Sequence, residues 1–229
     1  ALVAHHGVGK TSLAEAMLFD AGATSRLGRV ADGTTVLDHA ADEAQRLQKD
    51  YYRRYGTTLR GLMLEHDVNP DAFLEFVHDI DRSGLKPDKS LAAAIAALPG
   101  RKLILTNGSR EHALRTAEKL GLHDMFEDVF DIVAADLLPK PAEETYQRFF
   151  DKHDVEPSRA AMFEDIAHNL LVPHARGMAT TLVVPKNGQT DHREPWEITR
   201  EIPAHVDFVT EDLGAFLALV TPIPPPASR

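Results

Sequence analysis

The sequence contains no cysteine among its 229 residues and only one tryptophan. Without thiols the chain cannot form disulfide bonds, a thiolate metal site or a cysteine nucleophile. Proteins without cysteine fit a reducing compartment, so we expect a cytoplasmic location. The sequence also lacks an apolar run as long as a membrane span and any signal-peptide pattern, which argues against a membrane partner.

Positive charge is scarce as well. Lysine and arginine number 25 against 35 aspartates and glutamates, which gives a net charge of -10. This balance argues against a broad nucleic-acid interface, although a local basic site remains compatible with it. The chain does not begin with methionine, which suggests a fragment or a trimmed chain. Nothing in the sequence sets an oligomeric state.

Two different hydrophobic patterns follow one another along the chain. Residues 41–97 carry apolar positions at helical spacing, as in "ADEAQRLQKDYYRRYG", and predict a small helical domain. Residues 98–221 alternate short apolar strands with helices, beginning with "RKLILTN", and predict an α/β fold with a doubly wound parallel sheet. Residues 185–203 read as a long polar surface loop, and 222–229 as an extended, disordered tail.

The first residues have the pattern of a nucleotide-binding loop. Ala1–Ala4 predicts a short strand, and Gly9, Lys10 and Thr11 occupy phosphate-binding positions, although Ala4 replaces the first glycine. The run "LGRVADGTTVLD" makes residues 1–38 resemble the GTPase domain of translation elongation factor G. Such a domain also needs D-x-x-G and N-K-x-D motifs; the sequence has no N-K-x-D, and its one D-x-x-G, "DRSG" at 81–84, lies within the predicted helical domain. We therefore favour an isolated strand-turn-helix segment at 1–40 over the alternative, a P-loop GTP-binding protein.

Polar residues follow three of the predicted strands. They are Thr106, Asn107, Gly108, Lys140, Glu164 and Asp165. The carboxyl ends of parallel strands meet at one edge of a sheet, so we expect these residues to converge. A hydroxyl, an ammonium and carboxylates at one edge suit phosphoryl chemistry with Mg²⁺.

Each group also has a structural interpretation. Thr106 and Asn107 are good caps for the following helix, and Lys140 between two prolines fits an exposed surface lysine. Glu164 and Asp165 suit the start of a helix, where acidic groups complement its dipole. Their joint occurrence at equivalent strand ends favours a functional site.

Three segments, "LILTNGSR", "LLPKPAEETY" and "MFEDIAHNL", resemble motifs II, III and IV of the haloacid dehalogenase superfamily. The segment "LQKDYYRRYGTTLRGLMLEH" resembles the helical cap of its pyrimidine 5′-nucleotidase branch, so that the resemblance covers about 41–210. It implies a Rossmannoid core with a helical cap and a Mg²⁺-dependent hydrolase of small phosphomonoesters such as UMP or CMP.

The resemblance also implies roles for single residues. Thr106 binds the phosphoryl group, with Asn107 and Gly108 shaping its pocket, and Lys140 steadies the nucleophile and the phosphate. Asp165, with Glu164 beside it, serves the metal. In the cap, the residues placed near the substrate are Tyr55, Thr57 and Arg60, whose alternative role is helix-turn packing.

The first motif of that superfamily, D-x-D-x-T before the cap, is missing. "LFDAGATSRL" keeps Asp20 and Thr24 but has Gly22 in place of the second aspartate, so Asp20 is a candidate nucleophile without its partner acid. Because Asp20 follows a helical pattern rather than a strand, it also fits a charged residue at a helix end before a turn. "VHDIDRS" contains D-x-D, which we interpret as a polar helix end. A phosphate-binding pseudoenzyme is therefore a further alternative.

Residues 38–45 predict a junction between two unrelated coding sequences. If "ALVA" supplied a central strand there, His5 would lie at its end, but we interpret His5 and His6 as loop residues.

Overall fold

The computed structural model describes residues 38–186, 188, 191, 193–198 and 201–220, with side chains from residue 46 onward. The helices are α1 (Asp38–Tyr55), α2 (Thr58–His66), α3 (Pro70–His78), α4 (Lys89–Ala97), α5 (Arg110–Lys119), α6 (Glu143–His153), α7 (Leu171–Ala175) and α8 (Leu213–Leu219). The strands are β1 (Leu103–Leu105), β2 (Asp128–Phe130), β3 (Ala161–Glu164), β4 (Ala179–Val183) and β5 (Phe208–Thr210). Short 3₁₀ turns lie at His123–Met125, Pro157–Arg159 and Ala167–Leu170.

Side-chain caps fix where several helices begin. The Thr57 hydroxyl accepts the Arg60 N–H at the start of α2, and Asn69 accepts the Ala72 N–H at the start of α3, where proline occupies the first turn. Asp88 and Asp212 cap α4 and α8 in the same way. Within the described ranges, no helix has the length and apolar character that crossing a bilayer requires.

Every pairing among the described strands is parallel, as the sequence predicts, but these strands form two sheets. β1 pairs with β2, and β4 lies between β3 and β5. Helices lie between β1 and β2, between β2 and β3 and between β3 and β4, which confirms the predicted α/β class, whereas no helix is described between β4 and β5. Among the described residues no strand lies between β1 and β3. The segment that carries the predicted central strand, Ala1–Ala4, lies outside the described residues, as does the predicted tail at 222–229.

Four hydrophobic clusters among the described residues hold these elements together, and the smallest of them lies between β1, β2 and α5. The largest lies among the strands and α6 and includes Phe130, Tyr146 and Met162. A second joins α1, α2 and α3 and reaches the α/β region through Ile132. The third packs α4 against α8 through Ile95 and Leu217, so α4 belongs with the strands rather than with the first three helices.

Candidate active site

The turn after β1 brings a hydroxyl and an amide to the carboxyl end of the strand. The Thr106 N–H continues the ladder to the Phe130 carbonyl at 2.9 Å, and its hydroxyl accepts the Gly108 N–H at 3.0 Å. Neither Thr106 nor Asn107 caps the next helix, because Ser109 does so by accepting the His112 N–H. The cap interpretation of Thr106 and Asn107 is therefore wrong.

The Asn107 side chain fixes the loop that carries Lys140. Its Oδ1 accepts the Lys140 N–H at 2.8 Å, and its Nδ2 donates to the Lys140 carbonyl at 3.3 Å. This pair of hydrogen bonds brings together two segments that lie 33 positions apart in the chain. The loop also contains the cis peptide bond between Lys140 and Pro141.

Lys140 is buried, so the surface-lysine interpretation is wrong. Its side chain is 7% exposed, and Nζ donates to the Leu105 carbonyl at 3.1 Å and to Glu164 Oε1. The ammonium thus links the last residue of β1 to the last residue of β3. An ammonium has three N–H donors. Two of those on Lys140 bond Leu105 and Glu164, and the third N–H has no partner among the described residues.

Glu164 is saturated with protein donors. Besides Lys140, Oε1 accepts Asn169 Nδ2 at 2.9 Å, and Oε2 accepts the Asp165 and Ile166 N–H groups at 2.8 and 3.2 Å. Burial alone raises the pKa of the Glu164 carboxyl, but the Lys140 ammonium and these donors outweigh burial and hold that pKa below its usual value. Glu164 is therefore an ionised partner for Lys140.

Asp165 lies beside this network in the opposite electrostatic situation. Burial, followed by the charge of Glu164, raises the pKa of the Asp165 carboxyl to about 8. The Lys140 ammonium lowers that pKa but does not outweigh these two effects. A divalent cation would supply further positive charge.

The donor set fits Mg²⁺ in part. Among the described side chains, no three His, Cys, Asp or Glu residues are grouped closely enough to hold a metal ion by themselves. However, Mg²⁺ in proteins often binds one or two carboxylates, keeps several waters and takes phosphate oxygens from the substrate. Asp165 fits as such a carboxylate, whereas Glu164 is engaged by Lys140 and Asn169.

The three helical residues placed near the substrate by resemblance have structural contacts. Tyr55 is bonded through its hydroxyl to Glu65 at an exposed position, and Thr57 caps α2 by accepting the N–H of Arg60. The tyrosine that lies near the strand ends is Tyr52, whose hydroxyl donates to Glu197. The pKa of Tyr52 is raised by burial, by that hydrogen bond and by the charges of nearby carboxylates, which include Glu164 and Asp165.

The turn between α1 and α2 lies directly over the Lys140 loop. Gly56 has a φ of +82°, and a Cβ added there would lie 3.0 Å from Pro139 Cγ. Helices α1 to α3, which we call the helical region, therefore contact the loop that carries Lys140 at Gly56. A side chain larger than hydrogen at this position would displace Pro139.

Sequence reasoning missed the polar residues that join the region after β4 to this site. Residues 185–203 are predicted as a surface loop, yet Glu197 is only 9% exposed. Arg193, which precedes Glu197 in the same segment, donates from Nη1 to the Asp165 carbonyl at 3.2 Å. The signal available in the sequence was a dense run of charge beside a lone tryptophan, which does not identify contacts with distant segments.

Several predicted residues fall elsewhere. The D-x-D at Asp79 and Asp81 lies at the end of α3, as interpreted: Asp79 is the residue after the helix, and Asp81 accepts from Ser83. The residues that lie outside the described ones are His5, His6, Gly9, Lys10, Thr11 and Asp20.

Comparisons with known proteins support the same fold. The chain matches a family model described as haloacid dehalogenase-like hydrolase over residues 13–172, more than half its length. It is similar to Phosphate metabolism protein 8 of Saccharomyces cerevisiae, with 33% identity over 100 residues, 38% of this chain and 30% of that protein. The match thus spans less than a third of that relative.

Solved structures resemble the chain over most of its length. A HAD phosphatase from Thermococcus onnurineus has a TM-score of 0.52 and 14% identity, over 91% of this chain and 86% of its own. The HAD-hydrolase YfnB from Bacillus subtilis, bound to magnesium, has a TM-score of 0.50 and 13% identity, over 92% and 90%. At these identities the likeness concerns the fold.

The extent of the family match differs from the expected extent of the resemblance. It begins at residue 13, so the expected junction at 38–45 lies inside the matched range, as does Asp20. The phosphate-loop residues Gly9, Lys10 and Thr11 precede the match.

Proposed function

Because the chain belongs to the haloacid dehalogenase-like hydrolase family, we propose that it is a Mg²⁺-dependent phosphomonoester hydrolase. The proposed substrates are small phosphorylated metabolites, with the pyrimidine nucleoside 5′-monophosphates UMP and CMP first among them. The observation that carries the proposal is the buried network in which Lys140 joins Leu105 to Glu164, with Asp165 next to it.

Thr106 and its turn form the proposed phosphate pocket. The Thr106 hydroxyl accepts the Gly108 N–H, so its own proton is available to a phosphoryl oxygen. Both polar atoms of the Asn107 side-chain amide are hydrogen-bonded to the backbone of Lys140. In this proposal Asn107 therefore shapes the pocket rather than binding phosphate.

Lys140 supplies the positive charge of the pocket. Two of its donors are held by Leu105 and Glu164, which fix the ammonium in position before substrate arrives. A preoriented charge stabilises negative charge that develops on the phosphoryl oxygens without reorganisation during the reaction.

Asp165 is the proposed carboxylate that would hold Mg²⁺. A bound Mg²⁺ would supply positive charge that offsets the negative charge of the phosphoryl group. Glu164 acts through Lys140 and through the N–H of Asp165, whose position it fixes at 2.8 Å.

Asp20, outside the described residues, is the proposed nucleophile. Its carboxylate oxygen bonds to phosphorus as the P–O bond to the nucleoside breaks, and water then cleaves the acyl phosphate to release inorganic phosphate. Gly22 stands where a second aspartate would protonate the leaving group, so that proton comes from solvent. Since acid–base assistance contributes roughly 10²–10⁴ in rate, we expect slow turnover.

The helical region is the proposed cap, expected at residues 41–97. Packing of α4 against α8 supports an earlier end, before α4 begins at Lys89. The contact of Gly56 with Pro139 supports a cap that closes over the Lys140 loop.

The experiment is phosphate release from UMP and CMP by the purified chain, with and without Mg²⁺. We expect Mg²⁺-dependent release that Asp165→Asn and Asp20→Asn each abolish. Asp136→Asn is the matched control, because its carboxylate is 80% exposed.

Release that does not exceed that of Asp165→Asn would overturn the hydrolase proposal. The absence of the second aspartate then favours a phosphate-binding pseudoenzyme, for which UMP binds without turnover. Loss of that binding in a folded Lys140→Ala variant would support this second candidate.

A further inference from the structure

Three residues on one face of α1 contact a single segment after β4. Lys49 pairs with Glu194 at 3.1 Å, and the Tyr52 hydroxyl donates to Glu197. The Arg53 guanidinium lies 4.9 Å from the Trp196 ring centroid. Positions 49, 52 and 53 are spaced i, i+3 and i+4, which places them side by side on the helix. We name residues 193–198 the strap.

The strap is held in shape by its own hydrogen bonds. Glu197 Oε2 accepts the Glu194 N–H at 2.7 Å, while Oε1 accepts the Tyr52 hydroxyl. Glu197 is thereby a buried carboxylate with a donor on each oxygen. A charge-assisted hydrogen bond in a buried setting is stronger than a neutral one, so the Tyr52 contact is the main attachment to α1.

The other end of the strap reaches the candidate active site. Arg193 Nη1 donates to the Asp165 carbonyl at 3.2 Å. Asp191 holds the same guanidinium through Nη2 at 2.7 Å and Nε at 2.9 Å. The Arg193 side chain is only 12% exposed, so water competes little for these contacts.

We propose that the strap ties helix α1 to Asp165, with Arg193 as the positioning residue. When α1 is docked, the strap fixes the backbone of Asp165 through its carbonyl, while Glu164 fixes it through its N–H. When α1 moves away, the strap is released and the backbone at Asp165 loses that restraint. The role of Asp165 rests on the proposed function, whereas the contacts of the strap do not.

Trp196 makes the strap directly observable, because it is the only tryptophan of the chain. The test compares Tyr52→Phe with Tyr55→Phe in the full chain. Tyr55 lies one turn further along α1 and bonds to Glu65 rather than to the strap. The two readouts are acrylamide quenching of Trp196 and hydrogen exchange of the amides at 165–170.

We expect Tyr52→Phe to change both readouts and Tyr55→Phe to change neither. Trp196 is 41% exposed, so release of the strap raises its quenching constant by up to roughly twofold. The Asp165 and Ile166 amides, now bonded to Glu164, exchange faster by about threefold once their backbone loosens.

Unchanged quenching in Tyr52→Phe would show that the strap is not attached through Tyr52. Increased quenching with unchanged exchange at 165–170 would show that the strap does not reach Asp165, and either result overturns the proposal. If Tyr52→Phe does not fold, Lys49→Met replaces it, because Lys49 is an exposed contact of the same strap. Neither readout needs hydrolysis, so an inactive chain leaves this test intact.

Discussion

At the scale of single residues, Lys140 is the side chain that links the end of β1 to the end of β3 at the site. It is buried, it carries a charge, and its partner Glu164 is also buried. Removing one member of a buried ion pair leaves the other without compensation, which costs about 3–5 kcal/mol. We therefore expect Lys140→Met to lower the free energy of unfolding by about that amount.

Urea unfolding followed by circular dichroism measures this loss. Lys102→Met is the matched control, because Lys102 Nζ bonds the nearby Gly100 carbonyl at an exposed position. The control variant should stay within about 0.5 kcal/mol of the parent chain. Equal losses in the two variants would show that burial of the Lys140–Glu164 pair does not contribute to stability.

Two stacked histidines make stability depend on pH. His78 and His112 lie with ring centroids 4.3 Å apart, and Arg82 Nη2 lies 2.9 Å from His112 Nδ1. Burial, then His112 and Arg82, lower the pKa of His78 to about 3. Burial and Arg82 lower the pKa of His112 to about 4.

The folded chain thus keeps both rings neutral at pH values where the unfolded chain protonates them. Their stabilising effect is complete above the unfolded pKa of about 6.5 and is lost as the pH falls towards 4 for His112 and towards 3 for His78. We expect the free energy of unfolding to fall by at most about 1.4 kcal/mol per pH unit for each histidine. His78→Gln with His112→Gln should flatten this slope in urea titrations, whereas His123→Gln, at an exposed position, should not.

At the scale of secondary-structure elements, Thr57 has a structural role that its place in the helical region conceals. Its hydroxyl caps α2 by accepting the Arg60 N–H at 3.2 Å. We expect Thr57→Ala to lower the free energy of unfolding by about 1 kcal/mol and Thr57→Ser to restore it. Thermal unfolding measures both, and an unaffected Thr57→Ala variant would contradict the capping role.

Elements were predictable where local sequence determines them. The strands β1 to β5 coincide with short apolar runs of the sequence. The side chains of Ser109, Asn69 and Asp212 mark the starts of helices, because each accepts a hydrogen bond from an N–H of the first turn. The face that a helix presents was not predictable. Tyr52 rather than Tyr55 lies towards the strand ends. Its partner Glu197 is 145 positions away, so the local sequence does not identify the pair.

The convergence of Asn107, Lys140 and Glu164 was predictable because parallel strands place their carboxyl ends at one edge. What the sequence did not reveal is that Glu164 is engaged with Lys140 and Asn169. Glu164 and Asp165 are adjacent in "FED", and the sequence does not show which of the two carboxylates is the partner of Lys140 and Asn169. The roles of these residues in phosphate and metal binding stay predictions.

At the scale of the whole molecule, the two alternatives for the first residues make opposite predictions. In our proposal Lys10 is not part of the catalytic site, and it precedes the family match. We expect Lys10→Ala to leave the rate of phosphate release from UMP unchanged and no GTP to bind the parent chain. GTP binding in calorimetry that Lys10→Ala removes would instead favour a P-loop protein.

The turn at Gly56 has a consequence for how this chain tolerates change. Because its φ is positive and an added Cβ would lie 3.0 Å from Pro139 Cγ, any larger residue strains the backbone and requires Pro139 to shift by a few tenths of an ångström. The close approach of the helical region to the Lys140 loop therefore reserves position 56 for glycine, although no atom of that residue belongs to the site.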